Sequence, residues 1–425
     1  MKKSFKPAML SMAVALGITG VGAGGAYAAQ PASELDWSYK VPANLDLDSG
    51  FRFGTFAGDN LYFWAVKGNK SHIVQSFDQD NGGKDNWTYD FRGSSEILTS
   101  SGQVLHDKDG NSYFLRKKDK DKQYKLEVVN AEGKLKWETS LGGGDVKQFQ
   151  ILDNDSLVVT DIAYPKNAEV VQTFSIFDKN GKLKSTKKVK ASEIHNEGAL
   201  ISLLPNGQVL AQGPKIQLFR SLNDLKKPVL EHQMPKWTTI GLNGRSVDFG
   251  PAVFSLSGGQ TLIQFDKSDM SAVEIKEGAQ EIDPKLIKRS KSLVLFDAQG
   301  VKKWERELST KAAFVPTGDG FVLQSGNKLE LYGADNKLRT GKDFEGEDLW
   351  LAKAKTTDEI VLTSEKAGTF KALDPKDLSV KYELDMNEES PAQATYSFLY
   401  EGGGELYVHA TDGNVNKTVS HYTLK

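Results

Sequence analysis

One phrase recurs along this chain and limits the fold more tightly than any other feature. Val129-Asn130-Ala131-Glu132-Gly133-Lys134-Leu135-Lys136-Trp137 returns as Phe296-Asp297-Ala298-Gln299-Gly300-Val301-Lys302-Lys303-Trp304. It returns more weakly as Phe177-Asp178-Lys179-Asn180-Gly181-Lys182-Leu183-Lys184-Ser185. Asp or Asn stands three residues before Gly, and the Trp slot lies four residues after it. The pattern reads as strand, tight turn, strand: the Asx side chain bonds its own turn, and Gly supplies the residue with φ > 0. A chain built from such units buries each one against its neighbours.

Two landmarks alternate. The first is a turn followed by an apolar strand, as in Gly58-Asp59-Asn60-Leu61-Tyr62-Phe63-Trp64. Counterparts begin at Gly102, Asn154, Gly207, Gly259, Asp319, Asp358 and Gly404, which makes eight. The second is the Trp-slot strand, at Trp37, Trp87, Trp137 and Ser185, then near 225–230, at Trp304, after Leu338 and at Tyr382, again eight. A four-stranded blade needs one of each. The count therefore predicts an eight-bladed β-propeller of blades near 50 residues, or seven if one weak unit is not a blade. Trp37 opens the chain with a Trp-slot strand that has no partners before it, while residues 396–425 offer three strands and lack a fourth. Pairing the two ends closes the ring and removes an exposed edge. The stretch between Leu225 and Trp304 is too long for one blade and too short for two, so an insertion is expected around 278–290, with Lys285, Lys288, Arg289 and the Asp283-Pro284 break.

The first 28 residues read as a signal peptide. Lys2, Lys3 and Lys6 precede an apolar run, and Ala26-Tyr27-Ala28 fits the small-x-small rule, with cleavage after Ala28. The remaining residues, 29–425, read as a single propeller domain that is secreted or held at the cell surface, with no later membrane span. There is no cysteine, which excludes disulfides, thiol catalysis and Cys-ligated metal sites and leaves packing to supply the stability. A net charge of −2 offers no broad basic field for nucleic acid.

The Trp phrase resembles the repeat of quinoprotein-like, or PQQ-like, propellers. Trp87, Trp137 and Trp304 fill its slot with Gly83, Gly133 and Gly300 ahead of them; Gly181 keeps the turn without the Trp, and Trp37 has no such Gly. The resemblance implies that each Trp docks on the neighbouring blade. A buried indole covers ~150–250 Å², worth up to about 4–6 kcal/mol at ~25 cal/mol/Å², so the residue suits an inter-blade fastener. The cofactor does not carry over, because quinone-dependent members are longer and commonly carry adjacent cysteines. The non-enzymatic branch, which includes bacterial cell-envelope scaffolds, fits better.

Motifs for chemistry are scarce. The six histidines show no metal-ligand spacing, and no nucleophile elbow, phosphate loop or dinucleotide fingerprint is present. No catalytic, metal or cofactor-binding residue is assigned. Asp107-Lys108-Asp109-Gly110-Asn111 resembles a calcium loop but has Gly fourth instead of sixth, so a hairpin turn is expected. Gly142-Gly143-Gly144 and Gly402-Gly403-Gly404 read as flexible turns. Tyr62, Trp64, Trp237 and Trp350 lie outside the Trp slot and are the candidates for a binding surface. The leading expectation is a secreted, non-catalytic binding or scaffold module whose partner is a protein or a cell-wall polymer. The alternative is an extracellular enzyme: a polysaccharide lyase or hydrolase, or a PQQ-dependent oxidoreductase.

Overall fold

The structure is a computed structural model. It describes residues 33–425 apart from 43–44, 47–54, 58–59, 68–70, 79–81, 91–93, 98–103, 119–122, 142–145, 164–168, 235–251, 270–287, 347, 387–393 and 413–415. Its strands form eight separate antiparallel sheets, each made of four strands or of four with one split, and the sheets follow one another around a ring. Numbered in chain order, blade 1 spans 45–90, blade 2 spans 94–140, blade 3 spans 146–190 and blade 4 spans 200–233. Blade 5 spans 252–308, blade 6 spans 313–343 and blade 7 spans 350–385. Blade 8 combines Ala394–Gly402, Glu405–Asp412 and Asn416–Leu424 with Ser33–Lys40 as its outermost strand. Ser33 pairs with Leu424 and Lys40 with Thr418, so the first strand closes the ring as the sequence suggests.

The repeated phrase is the hairpin between the third and fourth strands. In blade 2, Gly133 N–H donates to Asn130 O at 2.9 Å, and the Asn130 side chain accepts from Lys134 N at 2.8 Å. The turn leaves one extra residue on the fourth strand, because Val129 pairs with Leu135 while Val128 pairs with Trp137. Such a bulge after a left-handed residue is a standard way to join twisted strands. The same one-residue shift recurs in blades 1, 3, 5, 6 and 7. Where Gly is missing, Asn336 (φ 60°) and Leu378 (φ 59°) take the left-handed position. Leu378 is fully buried, and that burial offsets a conformation costing a non-glycine residue about 1–2 kcal/mol.

Among the described residues no cluster forms a common core at the centre. Among the described residues the buried apolar side chains divide into eight clusters, and each cluster joins two adjacent blades. Blades 7 and 8, for example, share Phe370, Leu384, Tyr396, Tyr400, Leu406 and Tyr422. Eight clusters for eight junctions means that the seam between the last blade and the first is packed like the others, through Phe63, Phe77, Tyr407 and Val419.

Two details differ from the sequence reading. The landmark at Gly102 does not lead into the second strand of its blade, as its seven counterparts do: Val104–His106 is part of a split innermost strand of blade 2, with Ser94–Ile97 as its other piece, and both pair with Ser112–Lys118. In blade 5 the strands Thr261–Asp269 and Lys288–Phe296 pair along their whole length. Lys288, Arg289 and Ser290 therefore belong to a strand, and the rest of the expected 278–290 insertion lies outside the described residues. The expected signal peptide also lies outside them.

Antiparallel order fixes what each face of the ring carries. One face holds the turns between first and second and between third and fourth strands, which are short except for residues 220–229 of blade 4. The opposite face, the long-loop face, holds the second-to-third connections and the links between blades, the longest of which separate Gln233 from Ala252 and Asp269 from Lys288 in sequence.

Candidate functional site

Most of the aromatic and polar residues singled out in the sequence are spent between blades. Trp87, Trp137 and Trp304 each reach the third-to-fourth turn of the next blade. Their indole N–H groups donate to Ala131 O at 2.8 Å, Lys179 O at 3.2 Å and Ala334 O at 2.7 Å. Trp87 lies over Gly133 and Trp137 over Gly181 so closely that a Cβ on the glycine would stand 2.5 and 2.7 Å from the ring. Trp37 covers Gly83 in the same way, with a hypothetical Cβ 2.3 Å away. The turn there runs from Asp78 to Gly83, two residues longer than its counterparts, and the Trp37 indole N–H finds no acceptor among the described residues. Gly300 serves a different approach: its Cβ would meet the Val229 carbonyl of blade 4 at 2.0 Å, so the backbone itself fills the space of the absent Trp.

At the junction of blades 3 and 4 the slot holds Ser185. The facing turn, between Lys215–Phe219 and Leu230–Gln233, is expanded. It sends Leu222 into the cluster with Val158 and Phe174 and packs Leu225 against it, so two aliphatic side chains replace one indole. Glutamines add polar clamps that the sequence did not mark. Gln172 Nε2 donates to Ile201 O at 2.6 Å and its Oε1 accepts from Ile201 N at 2.7 Å. Gln324 Nε2 donates to Leu349 O at 2.8 Å.

The largest polar constellation joins blades 7 and 8. Glu359, 4% exposed, accepts from Tyr400 OH at 2.8 Å, Gly403 N at 2.9 Å and Thr357 Oγ1 at 2.9 Å, and pairs with Lys381. Burial opposes its ionisation, but the hydrogen bonds from Lys381, Gly403, Tyr400 and Thr357 outweigh burial and hold the carboxyl below the usual range. Gly402-Gly403-Gly404 is thus a built feature, not a loose turn: all three have positive φ, Gly403 N–H donates to the internal carboxylate, and Gly404 N–H donates to Tyr400 OH at 3.0 Å. Blades 1 and 2 share a second polar group, in which Glu127 accepts from Tyr89 and from Arg116 Nε at 2.8 Å.

Asp107–Asn111 is a hairpin turn. Asp107 Oδ1 accepts from Asp109 N at 3.0 Å and Asn111 N at 2.9 Å, and Oδ2 from Tyr113 OH at 2.9 Å, so its carboxylate is already engaged. No group of three or more metal-ligating side chains occurs among the described residues. No described helix is long and apolar enough to cross a membrane.

The four binding-surface candidates separate. Tyr62 is 1% exposed, donates its hydroxyl to Gly110 O at 3.0 Å and stacks on His106 at 3.9 Å, so it is a junction residue and not a surface one. Trp64 lies in the strand Asn60–Lys67, opposite Val74, and its side chain is outside the described residues, as is Trp237 altogether. Trp350 is 71% exposed at the first position of the innermost strand of blade 7, which places it on the long-loop face. An indole left in water directly before the buried Leu351 is the clearest open feature of that face.

No family model matches the chain, and no curated protein matches it. Solved structures similar to it include the Dos1 propeller, 12% identical over 92% of this chain and 95% of that one, with a TM-score of 0.43. The β-propeller domain of the Trilobed protease from Pyrococcus furiosus is 11% identical over 77% of this chain and 90% of that one, with a TM-score of 0.40. The class defined by the eight sheets themselves is the β-propeller.

Proposed function

We propose that this chain is an exported, non-catalytic β-propeller of the PQQ-like repeat type that binds a protein or cell-wall polymer through its long-loop face. The observation that carries the reading is Trp350. Trp37, Trp87, Trp137 and Trp304 are at least partly buried at blade junctions, whereas this one presents most of its indole to solvent. Large, rigid aromatic side chains contribute much of the energy at binding surfaces because they bury area at small entropic cost. Loops at a propeller rim are held by rigid sheets, which suits recognition.

The test is sedimentation of the purified protein with cell walls prepared from the producing organism. Trp350→Ala is expected to lower the bound fraction at least fivefold while leaving the thermal melt unchanged. Retention of wild-type binding by Trp350→Ala, with an intact fold, overturns the assignment of this face.

A further inference from the structure

The outermost strands of the eight blades all expose one edge to solvent, and seven of them are close to electrically balanced. Ser33–Lys40, Lys84–Asp90, Leu135–Ser140, Leu230–Gln233, Lys302–Leu308, Leu338–Asp343 and Val380–Asp385 carry net charges between −1 and +1. The outermost strand of blade 3, Leu183–Lys190, carries four lysines and no acid. With Lys179 and Lys182 of the preceding turn, six lysines lie within residues 179–190, and all six are exposed. Beyond the edge, the expanded turn of blade 4 adds exposed Arg220, Lys226 and Lys227 against one acid, Asp224. Leu222 and Leu225 of that turn pack on blade 3, which fixes these charges beside the strand.

Lysines guard sheet edges against pairing. The other seven edges are protected without such an excess. A concentration of this size in a chain of net charge −2 disfavours the folded ring by self-repulsion, which Asp178 beside Lys182 and Lys184 and Glu169 beside Lys190 offset only in part, so the edge favours a polyanionic partner.

We propose that the outer edge of blade 3, together with the expanded turn of blade 4, binds an extended, linear phosphodiester polymer of the cell wall. The proposal rests on the binding-module reading above but uses a different surface. Lys184, Lys188 and Lys190 fall on one side of the strand and Lys187 on the other, strung over about 20 Å at ~3.3 Å per residue. A row of that length matches successive charges of a chain polymer and exceeds the reach of one small anion. Lysine binds phosphate as a point charge and demands no fixed orientation, which suits a flexible polymer. An added peptide strand would instead need pockets for alternate side chains, and the exposed side chains here are almost all lysine, serine and threonine.

The experiment measures binding of poly(glycerol phosphate) to the full-length mature protein by calorimetry at low and moderate salt. The test variant replaces Lys182, Lys184, Lys187, Lys188 and Lys190 with Gln. A control variant, with the same change of charge, replaces Lys302, Lys303, Lys337, Lys353 and Lys366. The expected result is at least a tenfold loss of affinity in the first variant, less than threefold in the control, and a steep fall of wild-type affinity with salt. Equal losses in both variants overturn the proposal, because binding would follow net charge alone. Stronger binding to an acidic peptide or to anionic vesicles than to the polymer also overturns it. Trp350→Ala leaves this affinity unchanged, so failure of the long-loop face and failure of the basic edge are read separately.

Discussion

The contact between Trp137 and Gly181 allows a quantitative test of how the blades are joined. Gly181 has φ +79°, and a Cβ placed on it would stand 2.7 Å from both Cδ2 and Cε3 of Trp137. Replacing Gly181 with Ala therefore introduces two separable costs. The left-handed backbone costs an alanine about 1–2 kcal/mol. The overlap with the indole forces ring or backbone to shift, and overpacking of this kind costs a further ~1–3 kcal/mol. Gly207 isolates the first cost: its φ is +82° and nothing lies within 4 Å of its hypothetical Cβ. Gly207→Ala is thus expected to destabilise by about 1–2 kcal/mol and Gly181→Ala by about 2–5 kcal/mol. Trp137→Ala alone is expected to cost about 3–5 kcal/mol, since it removes an indole and its hydrogen bond to Lys179 O. In the Trp137→Ala background the overlap no longer exists, so Gly181→Ala should cost only what Gly207→Ala costs. The double variant is then more stable than the sum of the singles by about 1–3 kcal/mol. Urea unfolding followed by far-ultraviolet circular dichroism measures all four values. Strict additivity, or equal costs at Gly181 and Gly207, would refute the fastening role of the indole.

Two further outcomes follow from the junctions of blade 8. Glu359→Gln should destabilise by about 1–3 kcal/mol, because it weakens a buried, charge-assisted network. The folded carboxyl titrates below its unfolded value of about 4.3, so its contribution is complete above that value and is lost as pH falls through the folded value. The melting-temperature gap between wild type and Glu359→Gln should stay constant from pH 8 to 5 and close under stronger acid; a gap that persists unchanged at pH 2 contradicts this. Deleting Ser33–Lys40 leaves Asn416–Leu424 as an unpaired edge, so the shortened protein should melt lower and self-associate in light scattering. An unchanged melt with a monomeric mass counts against closure by the first strand.

What the sequence revealed was what is local. The Asx-x-x-Gly turn and the Trp four residues later are dictated by hairpin chemistry, and the alternation of eight apolar-strand landmarks with eight Trp-slot strands implied eight blades. Closure was legible because a lone Trp-slot strand at one end matched a missing one at the other. Apart from the docking of the tryptophans, which the family resemblance implied, contacts made across blades were not legible. Glu359 meets Gly403 across a separation of 44 residues, and a glycine run looks the same whether it is slack or donates to a carboxylate. Gln172 and Gln324 sit in strands with nothing in their neighbours to mark them as clamps. Ser185 looked like a failed Trp slot, and only the structure shows Leu222 and Leu225 occupying the space. Tyr62 fell outside the repeat slot and so looked available, yet it serves the same junction as Trp87.

A ring whose interior is divided into eight independent compartments has an unusual tolerance. Each compartment is sealed by its own chemistry: an indole on glycine, a pair of leucines, a bare carbonyl, a caged acid. Replacement in one sector leaves the packing of the remaining sectors untouched, provided the circumference is kept. Divergence can therefore run far in any single wedge, and outward-facing strands are free to acquire whatever charge their surroundings reward.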